Sequence, residues 1–222
     1  MFGKAASRYD RINRVTSLGR DRCWRLRSLE ELHLKAGDVL LDLCCGTGDL
    51  ALLAAEGGVI SRGLDFAAPM LNEASKKSSM DRARVAWVCG DAGKIPFKDS
   101  CFSAAACAFG LRNTSEPREV LRECARVLKP GGRIAILEFF PIQGKIWGPL
   151  FRFYFHRILP KWAVLLGADA SAYRYLPESV DSFPSHAVVA GWMEESGFVG
   201  IKGKAFAGGV ARVLSGSLRE DS

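Results

Sequence analysis

The chain has 222 residues, of which 48% are hydrophobic and 25% are charged, a composition typical of one globular domain with a buried core. No stretch reaches the roughly 18 apolar residues of a membrane-spanning helix, which argues against an integral membrane protein. The seven cysteines are odd in number and show no CxxC or Cys/His spacing, so we expect neither a disulfide framework nor a metal site.

Basic residues are concentrated in two segments of a chain whose net charge is +7. Residues 1–27 hold eight lysines and arginines against two aspartates, and residues 139–168 hold four and no acidic residue. The first segment has no apolar stretch behind its cations, unlike a secretory signal, so we expect a cytoplasmic protein. Each segment is either a solvated basic surface or a surface for an anionic partner, lipid headgroups or nucleic acid.

Short apolar runs alternate with helical patterns in the first two thirds of the chain. The predicted strands cover residues 39–43, 59–64, 84–89, 102–109 and 133–139, and the predicted helices cover residues 49–55, 68–77 and 116–128. Strand and helix patterns that alternate at this spacing indicate βαβ units around a parallel sheet. Ligands bind such sheets outside the carboxyl ends of the strands, so we expect the functional residues there.

The alternation stops after the fifth predicted strand. An aromatic and basic stretch at residues 147–162 follows, and after it come a last helix at 186–196 and two strands at 198–204 and 210–216. The sequence therefore predicts one α/β domain of the doubly wound type with a mostly parallel, seven-stranded sheet. Its expected parts are a basic arm (1–27), a cofactor-binding core (28–139), a helical insertion that covers the substrate (140–185) and a C-terminal helix with a strand pair (186–222).

A glycine-rich turn follows the first predicted strand. Gly46, Gly48 and Ala51 match the GxGxxG/A pattern of dinucleotide sites, and Asp65 lies 19 residues after Gly46. A dinucleotide would place its pyrophosphate on the first turn of the next helix, where Asp49 stands. A carboxylate within a few ångströms of a phosphate costs on the order of 1–4 kcal/mol at near-surface dielectric. The charges therefore argue against a nicotinamide cofactor.

The same residues suit S-adenosylmethionine, which carries a sulfonium, an ammonium and a carboxylate but no phosphate. The N–H groups of the glycine turn can hold its carboxylate, while Asp42 and Asp49 suit its cationic end. Asp65 can accept hydrogen bonds from both ribose hydroxyls, with an ordinary helix N-cap as the alternative. Asp91 and Ala92 can bind the adenine edge, with a turn aspartate as the alternative.

Several motifs together resemble those of the class I methyltransferases. They are the glycine turn, Asp65 at a strand end, Asp91-Ala92 followed by Ile95-Pro96-Phe97, and Leu128-Lys-Pro-Gly-Gly132. More specifically, the chain resembles the menaquinone/ubiquinone C-methyltransferases over about residues 2–216. The most selective matches are Arg8-Tyr9-Asp10 in the arm and Phe109-Gly-Leu-Arg-Asn113 after the fourth strand. The chain departs from the family pattern at Ala108, where a serine is usual, and at Leu214, where a histidine is usual.

The resemblance implies transfer of a methyl group from S-adenosylmethionine to a ring carbon of a polyprenylated quinol. The expected reaction converts demethylmenaquinol to menaquinol, and the alternative is methylation of a polyprenyl-methoxy-benzoquinol in ubiquinone biosynthesis. The resemblance also adds Thr47, Phe66 and Ala108 to Gly46 and Gly48 among the expected cofactor-binding residues.

Methylation at a ring carbon sets the expected catalytic roles. A quinol attacks through the carbon next to its hydroxyl, so the enzyme must stabilise the phenolate and finally remove the ring proton. We expect Arg112 to stabilise the phenolate, since arginine is effectively always charged, and Asn113 to fix a quinol oxygen. Tyr9 and Asp10 would close from the arm, and either is a candidate base. His156 is another, with a packed histidine as the simpler interpretation.

The stretch at residues 147–162 suits a prenyl chain and an anionic membrane surface, with core packing as the alternative. We therefore expect transient contact with the inner face of the membrane, and the sequence leaves open whether the protein is a homodimer. Its strongest rival function is methylation of nucleic acid. The Asn/Asp-Pro-Pro-aromatic and Pro-Cys motifs of those enzymes are missing after the fourth strand, so we expect no nucleic-acid partner. A nicotinamide oxidoreductase and a non-catalytic binding module are weaker alternatives.

Overall fold

The structure is a computed structural model that describes residues 19–81, 85–141 and 177–220. Its helices are α1 (Asp21–Glu30), α2 (Asp49–Glu56), α3 (Ala68–Asp81), α4 (Pro117–Val127) and α5 (His186–Glu195). Its strands are β1 (Val39–Leu43), β2 (Ile60–Asp65), β3 (Val85–Cys89), β4 (Phe102–Ala108), β5 (Leu128–Phe139), β6 (Phe198–Phe206) and β7 (Ala211–Leu218). Short 3₁₀ turns lie at Leu111–Asn113 and Ala207–Gly209, and residues 177–182 are helical.

The seven strands form one sheet in the order β3-β2-β1-β4-β5-β7-β6. The first five strands pair in parallel, and β7 runs antiparallel to both β5 and β6. This arrangement confirms the predicted α/β fold with a mostly parallel, seven-stranded sheet. The strand order reverses between β1 and β4. The connections that follow these two strands therefore run to opposite sides of the sheet and leave a crevice at the carboxyl ends of the strands.

The sequence pattern explains why these segments form the core. Leu40, Leu41 and Leu43 of the central strand β1 are all buried, because a parallel strand with helices on both faces needs apolar side chains on both. In α4 the buried residues Val120, Leu121, Cys124 and Val127 recur at helical spacing, which gives one apolar stripe toward the sheet. Among the described helices, none has the length and apolar content needed to cross a bilayer.

Most element ends differ from the sequence-based expectation by a few residues, and two differences change how the fold is divided. The strand expected at 133–139 begins at Leu128, because Leu128 already pairs with Phe102 before a shift in register leads to the pair Ala104 and Arg133. Helix α1 runs from Asp21 to Glu30 and so crosses the expected limit between the arm and the core at residue 27. Most of the expected insertion, residues 142–176, lies outside the described residues.

The indole of Trp87 determines the shape of the glycine turn. Gly48 has φ +82°, and a Cβ added to it would lie 2.2 Å from the Trp87 ring. A Cβ on Gly63 of β2 would lie 2.4 Å from the same ring, whereas a Cβ on Gly46 would meet nothing within 4 Å. The ring nitrogen of Trp87 donates to Ser78 Oγ at 3.0 Å. Glycine at 48 and 63 therefore makes room for an indole that packs under the turn, while Gly46 borders open space.

Candidate active site

A cavity of about 510 Å³ opens at the carboxyl ends of the parallel strands, a size typical of small-molecule sites. The cavity wall is formed mainly by residues at or just after the ends of four strands: 44–47 and 49 after β1, 64–67 at the end of β2, 90–92 after β3 and 108–110 at the end of β4. Arg25, Met70 and residues 113–115 complete it. The strand ends that the sequence singled out therefore meet in one place. No group of three or more potential metal ligands is found among the described residues.

Asp65 joins the ends of two strands at the floor of the cavity. Its Oδ2 accepts a hydrogen bond of 2.7 Å from the N–H of Gly46, and its Oδ1 accepts one of 2.8 Å from the N–H of Ala67. Burial raises the pKa of this carboxyl, and the two backbone donors oppose that rise. Since each carboxylate oxygen has a second acceptor position, Asp65 can bind a vicinal diol without losing its backbone partners.

The loop after β3 carries Asp91 and Ala92 into the cavity wall. Asp91 is exposed, and its Oδ1 accepts a hydrogen bond of 2.8 Å from the N–H of Gly93. Arg126 of α4 holds the loop by donating to the carbonyls of Ile95 and Phe97, each at 2.9 Å. This anchoring explains why the motif that follows Asp91 lies where it does.

Asp42 occupies a different place from the one expected. It is 1% exposed, it is not part of the cavity wall, and its Oδ2 accepts a hydrogen bond of 3.0 Å from the N–H of Ala51 in the first turn of α2. Burial raises the pKa of Asp42 to about 7. The carboxyl therefore stabilises the first turn of α2 from outside the cavity. This geometry does not support the expected direct contact of Asp42 with the cationic end of the cofactor.

Asp49 has a partner that the sequence did not reveal. Lys77 of α3 donates to the Asp49 carboxylate at 2.7 Å and to the hydroxyl of Thr47 at 2.9 Å. This lysine offsets the charge that was expected to repel a phosphate. The electrostatic argument for S-adenosylmethionine therefore depends on Asp65 and Asp91 and not on all four carboxylates.

The remaining expected cofactor residues surround the same cavity. Thr47 is buried, and Phe66 is 82% exposed at the rim. Ala108 ends β4 inside the wall, where its methyl group provides apolar contact and no hydroxyl.

Arg112 and Asn113 lie on the 3₁₀ turn after β4 but face different surroundings. The Arg112 guanidinium forms an ion pair with Glu138 of β5 and donates to the Phe109 carbonyl at 2.8 Å. Its side chain is 5% exposed and Glu138 is fully buried. Arg112 does not belong to the cavity wall, whereas Asn113 does. The expected direct contact of Arg112 with the phenolate is thus replaced by an ion pair behind the wall.

Some of the predicted site residues lie outside the part of the chain that the structure describes, and the structure adds site residues that the sequence did not predict. Tyr9, Asp10 and His156 belong to the first group, so their roles stay predictions. Lys77, Glu138, Trp87 and Arg25 belong to the second group. The sequence held little signal for them, since a lysine on an amphipathic helix or an arginine in a basic segment is usually solvated.

The fold and the site together define a class I methyltransferase that uses S-adenosylmethionine. The residues fit this cofactor because Asp65 offers acceptors for a diol, the wall at Gly46 is open, and the cavity matches a ligand of this size. A model of the ubiE/COQ5 methyltransferase family matches residues 1–217. The chain therefore belongs to the ubiE/COQ5 methyltransferase family.

Individual relatives agree with this family assignment, and a solved structure agrees with the fold. The chain is 42% identical over 200 residues to the demethylmenaquinone methyltransferase of Thermus thermophilus, covering 89% of this chain and 91% of the relative. It is 40% identical over 224 residues to the ubiquinone/menaquinone biosynthesis C-methyltransferase UbiE of a Geobacter species, covering 98% and 94%. A methyltransferase structure from Thermotoga maritima is similar in fold, with a TM-score of 0.68, 18% identity and 98% of both chains covered.

The buried carboxyl of Asp42 gives a pH test of this geometry. Because the pKa of Asp42 is raised from 3.8 to about 7, the folded protein retains a proton there that the unfolded chain releases. The stability that this proton contributes is fully present below about pH 4 and is lost as the pH rises to about 7. We expect Asp42→Asn to remove this decline. The free energy of unfolding of the variant, relative to that of the wild type, should therefore increase by a few kcal/mol between pH 5 and pH 8.

Chemical unfolding at several pH values measures the free-energy difference between the variant and the wild type. Glu178→Gln is the matched control, since it makes the same carboxylate-to-amide change at an exposed position. A constant difference between Asp42→Asn and the wild type across this pH range would show that Asp42 is ionised in the folded protein.

Proposed function

We propose that this enzyme methylates a ring carbon of a polyprenylated quinol and that its acceptor is demethylmenaquinol, which becomes menaquinol. The observation that carries the proposal is the family match over residues 1–217, with a relative named demethylmenaquinone methyltransferase at 42% identity. The cavity supports it, because its wall changes along the sheet edge from the carboxylates of Asp65 and Asp91 to uncharged residues at and after the end of β4, among them Ala108, Phe109 and Asn113.

Bound S-adenosylmethionine supplies an electrophilic methyl group. The acceptor must then be the reduced quinol, because the oxidised quinone ring is itself electrophilic. We assign Asp65 to the ribose hydroxyls and Asp91 with Ala92 to the adenine edge. Gly46, Thr47, Phe66 and Ala108, which line the cavity, complete the cofactor contacts in this proposal, whereas the expected residue Gly48 does not line it.

The acceptor side of the proposal uses the end of β4. Asn113 lies in the cavity wall, and its Nδ2 donates to the Phe109 carbonyl at 3.3 Å. An amide in the wall can act both as donor and as acceptor, which suits a quinol hydroxyl. Tyr9 or Asp10 of the arm would complete the site and accept the ring proton, as the sequence predicts.

Arg112 has a revised role in this proposal, as a positioning residue for the wall formed by Phe109 and Asn113. The guanidinium neutralises Glu138 and binds the Phe109 carbonyl, so removing it alone leaves a buried carboxylate without its partner. We expect Arg112→Met to lower the free energy of unfolding by about 3–5 kcal/mol and to reduce turnover. The double variant Arg112→Met/Glu138→Met removes both charges, so it should regain most of the stability and turnover to within about tenfold of the wild type.

Thermal unfolding and kcat, measured together on the two variants, separate structure from chemistry. A double variant that regains stability but stays about a thousandfold slower than the wild type would return Arg112 to direct stabilisation of the substrate.

Methyl transfer from labelled S-adenosylmethionine tests the acceptor directly. We expect transfer to chemically reduced demethylmenaquinol, because the reduced ring carbon is nucleophilic, and none to the same compound kept oxidised. The oxidised quinone is the matched control, since it differs by two electrons and two protons alone. Transfer to a polyprenyl-methoxy-benzoquinol without transfer to demethylmenaquinol would favour the ubiquinone branch, and transfer to RNA or DNA would refute a quinol acceptor.

The ubiquinone branch is the second candidate because of one observation. The Geobacter relative, at 40% identity over 98% of this chain, is named for both ubiquinone and menaquinone biosynthesis. The same assay with both reduced acceptors decides whether this enzyme serves one branch or two.

We also propose transient contact with an anionic membrane surface through the aromatic and basic stretch at 147–162, since the prenyl chain of the acceptor resides in lipid. This stretch lies outside the described residues, and its composition carries the proposal. We expect the protein to float with anionic liposomes at low salt and to be released as salt is raised. Neutral liposomes are the control, and a protein that stays in the bottom fraction with anionic vesicles contradicts the contact.

A further inference from the structure

Arg25 is a buried cation whose side chain reaches the cavity. It lies on α1, is 6% exposed and belongs to the cavity wall. Its guanidinium carbon lies 5.4 Å from the centre of the Phe109 ring, and its Nε is buried without a hydrogen-bond partner. A buried guanidinium whose Nε has no hydrogen-bond partner and whose charge has no paired carboxylate is unfavourable, so this geometry favours an anionic or strongly polar ligand.

The position of Arg25 along the sheet edge indicates which part of a ligand it meets. Asp91 follows β3 and Asp65 ends β2, while Phe109, on which Arg25 rests, follows β4. Since the strand order is β3-β2-β1-β4, the arginine lies across the glycine turn from the two carboxylates. A ligand whose nucleoside binds at Asp65 and Asp91 would extend its other end toward Arg25.

Two N–H groups of the glycine turn are already bonded within the protein. The N–H of Gly46 is bonded to Asp65, and the N–H of Gly48 is bonded to the carbonyl of Cys45 at 2.9 Å. The expectation that the N–H groups of the glycine turn hold the cofactor carboxylate therefore loses two of its donors. An arginine at this end of the cavity would supply donors in their place.

The geometry points to Arg25 as the residue that binds the carboxylate of the methionine portion of S-adenosylmethionine. An arginine offers several N–H donors in one plane, and their spacing matches the two oxygens of a carboxylate. The carboxylate would also supply a negative charge to pair with the buried guanidinium. Binding there would hold the methionine portion beside the end of β4, where the acceptor is proposed to lie. This assignment rests on the cofactor and not on the identity of the acceptor.

Asp42 is the other charge near Arg25. The arginine lowers the pKa of Asp42 against the larger effect of burial. The two side chains nevertheless form no ion pair: Asp42 Oδ2 accepts from the N–H of Ala51, while Asp42 Oδ1 and Arg25 Nε are both buried without a hydrogen-bond partner among the described residues. A purely structural role for Arg25, opposite Asp42, is therefore the competing explanation that an experiment must separate.

Two ligands that differ in the amino-acid portion distinguish a carboxylate-binding role of Arg25 from a structural one. S-adenosylhomocysteine keeps the carboxylate, whereas 5′-methylthioadenosine has the same nucleoside and lacks it. We expect Arg25→Gln to weaken binding of S-adenosylhomocysteine by about 10- to 100-fold, as for the loss of a charged hydrogen bond. Binding of 5′-methylthioadenosine should change by less than about twofold. Isothermal titration calorimetry without acceptor gives both dissociation constants.

Two further variants complete the design. Arg27→Gln, on the same helix at an exposed position where Arg27 pairs with Glu30, should leave both affinities unchanged. Arg25→Lys keeps the charge and loses the planar donor pair, so it should weaken S-adenosylhomocysteine alone, by less than Arg25→Gln does. It also provides the measurement if Arg25→Gln does not fold.

An equal loss for both ligands would assign Arg25 a structural role, and unchanged affinities would exclude it from the cofactor site. Neither result depends on which quinol is methylated. Conversely, the enzyme could fail to methylate the quinol while Arg25→Gln still weakens binding of S-adenosylhomocysteine alone. That result would overturn the proposed acceptor but not the proposed role of Arg25.

Discussion

The hydrogen bonds from Gly46 and Ala67 to the carboxylate of Asp65 hold the active-site end of this molecule together. The bond from Gly46, at 2.7 Å, ties the turn after β1 to the end of β2, and the bond from Ala67, at 2.8 Å, fixes the chain that follows β2. A charge-assisted hydrogen bond of this kind contributes about 1.5–3 kcal/mol when the carboxylate is ionised. Asp65 also lines the cavity, so one side chain both shapes the site and provides acceptors for a diol.

Packing from below complements this contact. Trp87 occupies the space that side chains at residues 48 and 63 would need, and Asp42 supports the first turn of α2 through Ala51. The turn is therefore held by a carboxylate on one side and by an indole on the other. A site of this kind is preorganised, because the groups that contact it are themselves locked by packing and hydrogen bonds.

Charges in and behind the cavity wall follow a second pattern. Glu138 and Arg112 neutralise one another where neither meets solvent, and Lys77 offsets Asp49 at the start of α2. Arg25 is different, since its Nε remains without a hydrogen-bond partner at the wall itself. In a family whose cofactor carries a carboxylate, a buried cation beside the cavity is a natural complement, whereas paired charges contribute to the framework.

The sequence by itself determined the class of fold, the order of the elements and the strand ends at which the site lies. Those features depend on local information, namely apolar runs, helical periodicity and glycine spacing, which residues close in the chain express alone. The motifs after β1, β2 and β3 therefore placed Gly46, Asp65 and Asp91 correctly along one cavity, whereas their assigned contacts with the cofactor remain proposals.

Only the tertiary structure decided which charges face the cavity and which are neutralised. Lys77 reaches Asp49 from 28 residues away, and Glu138 pairs with Arg112 from 26 residues away. The sequence shows such residues as separate charges, because their pairing depends on how α3 and β5 pack beside the glycine turn and the end of β4. For the same reason the sequence made Asp42 a candidate ligand and left Arg25 as one of eight cations in a basic segment, whereas the structure buries both and places only Arg25 in the cavity wall.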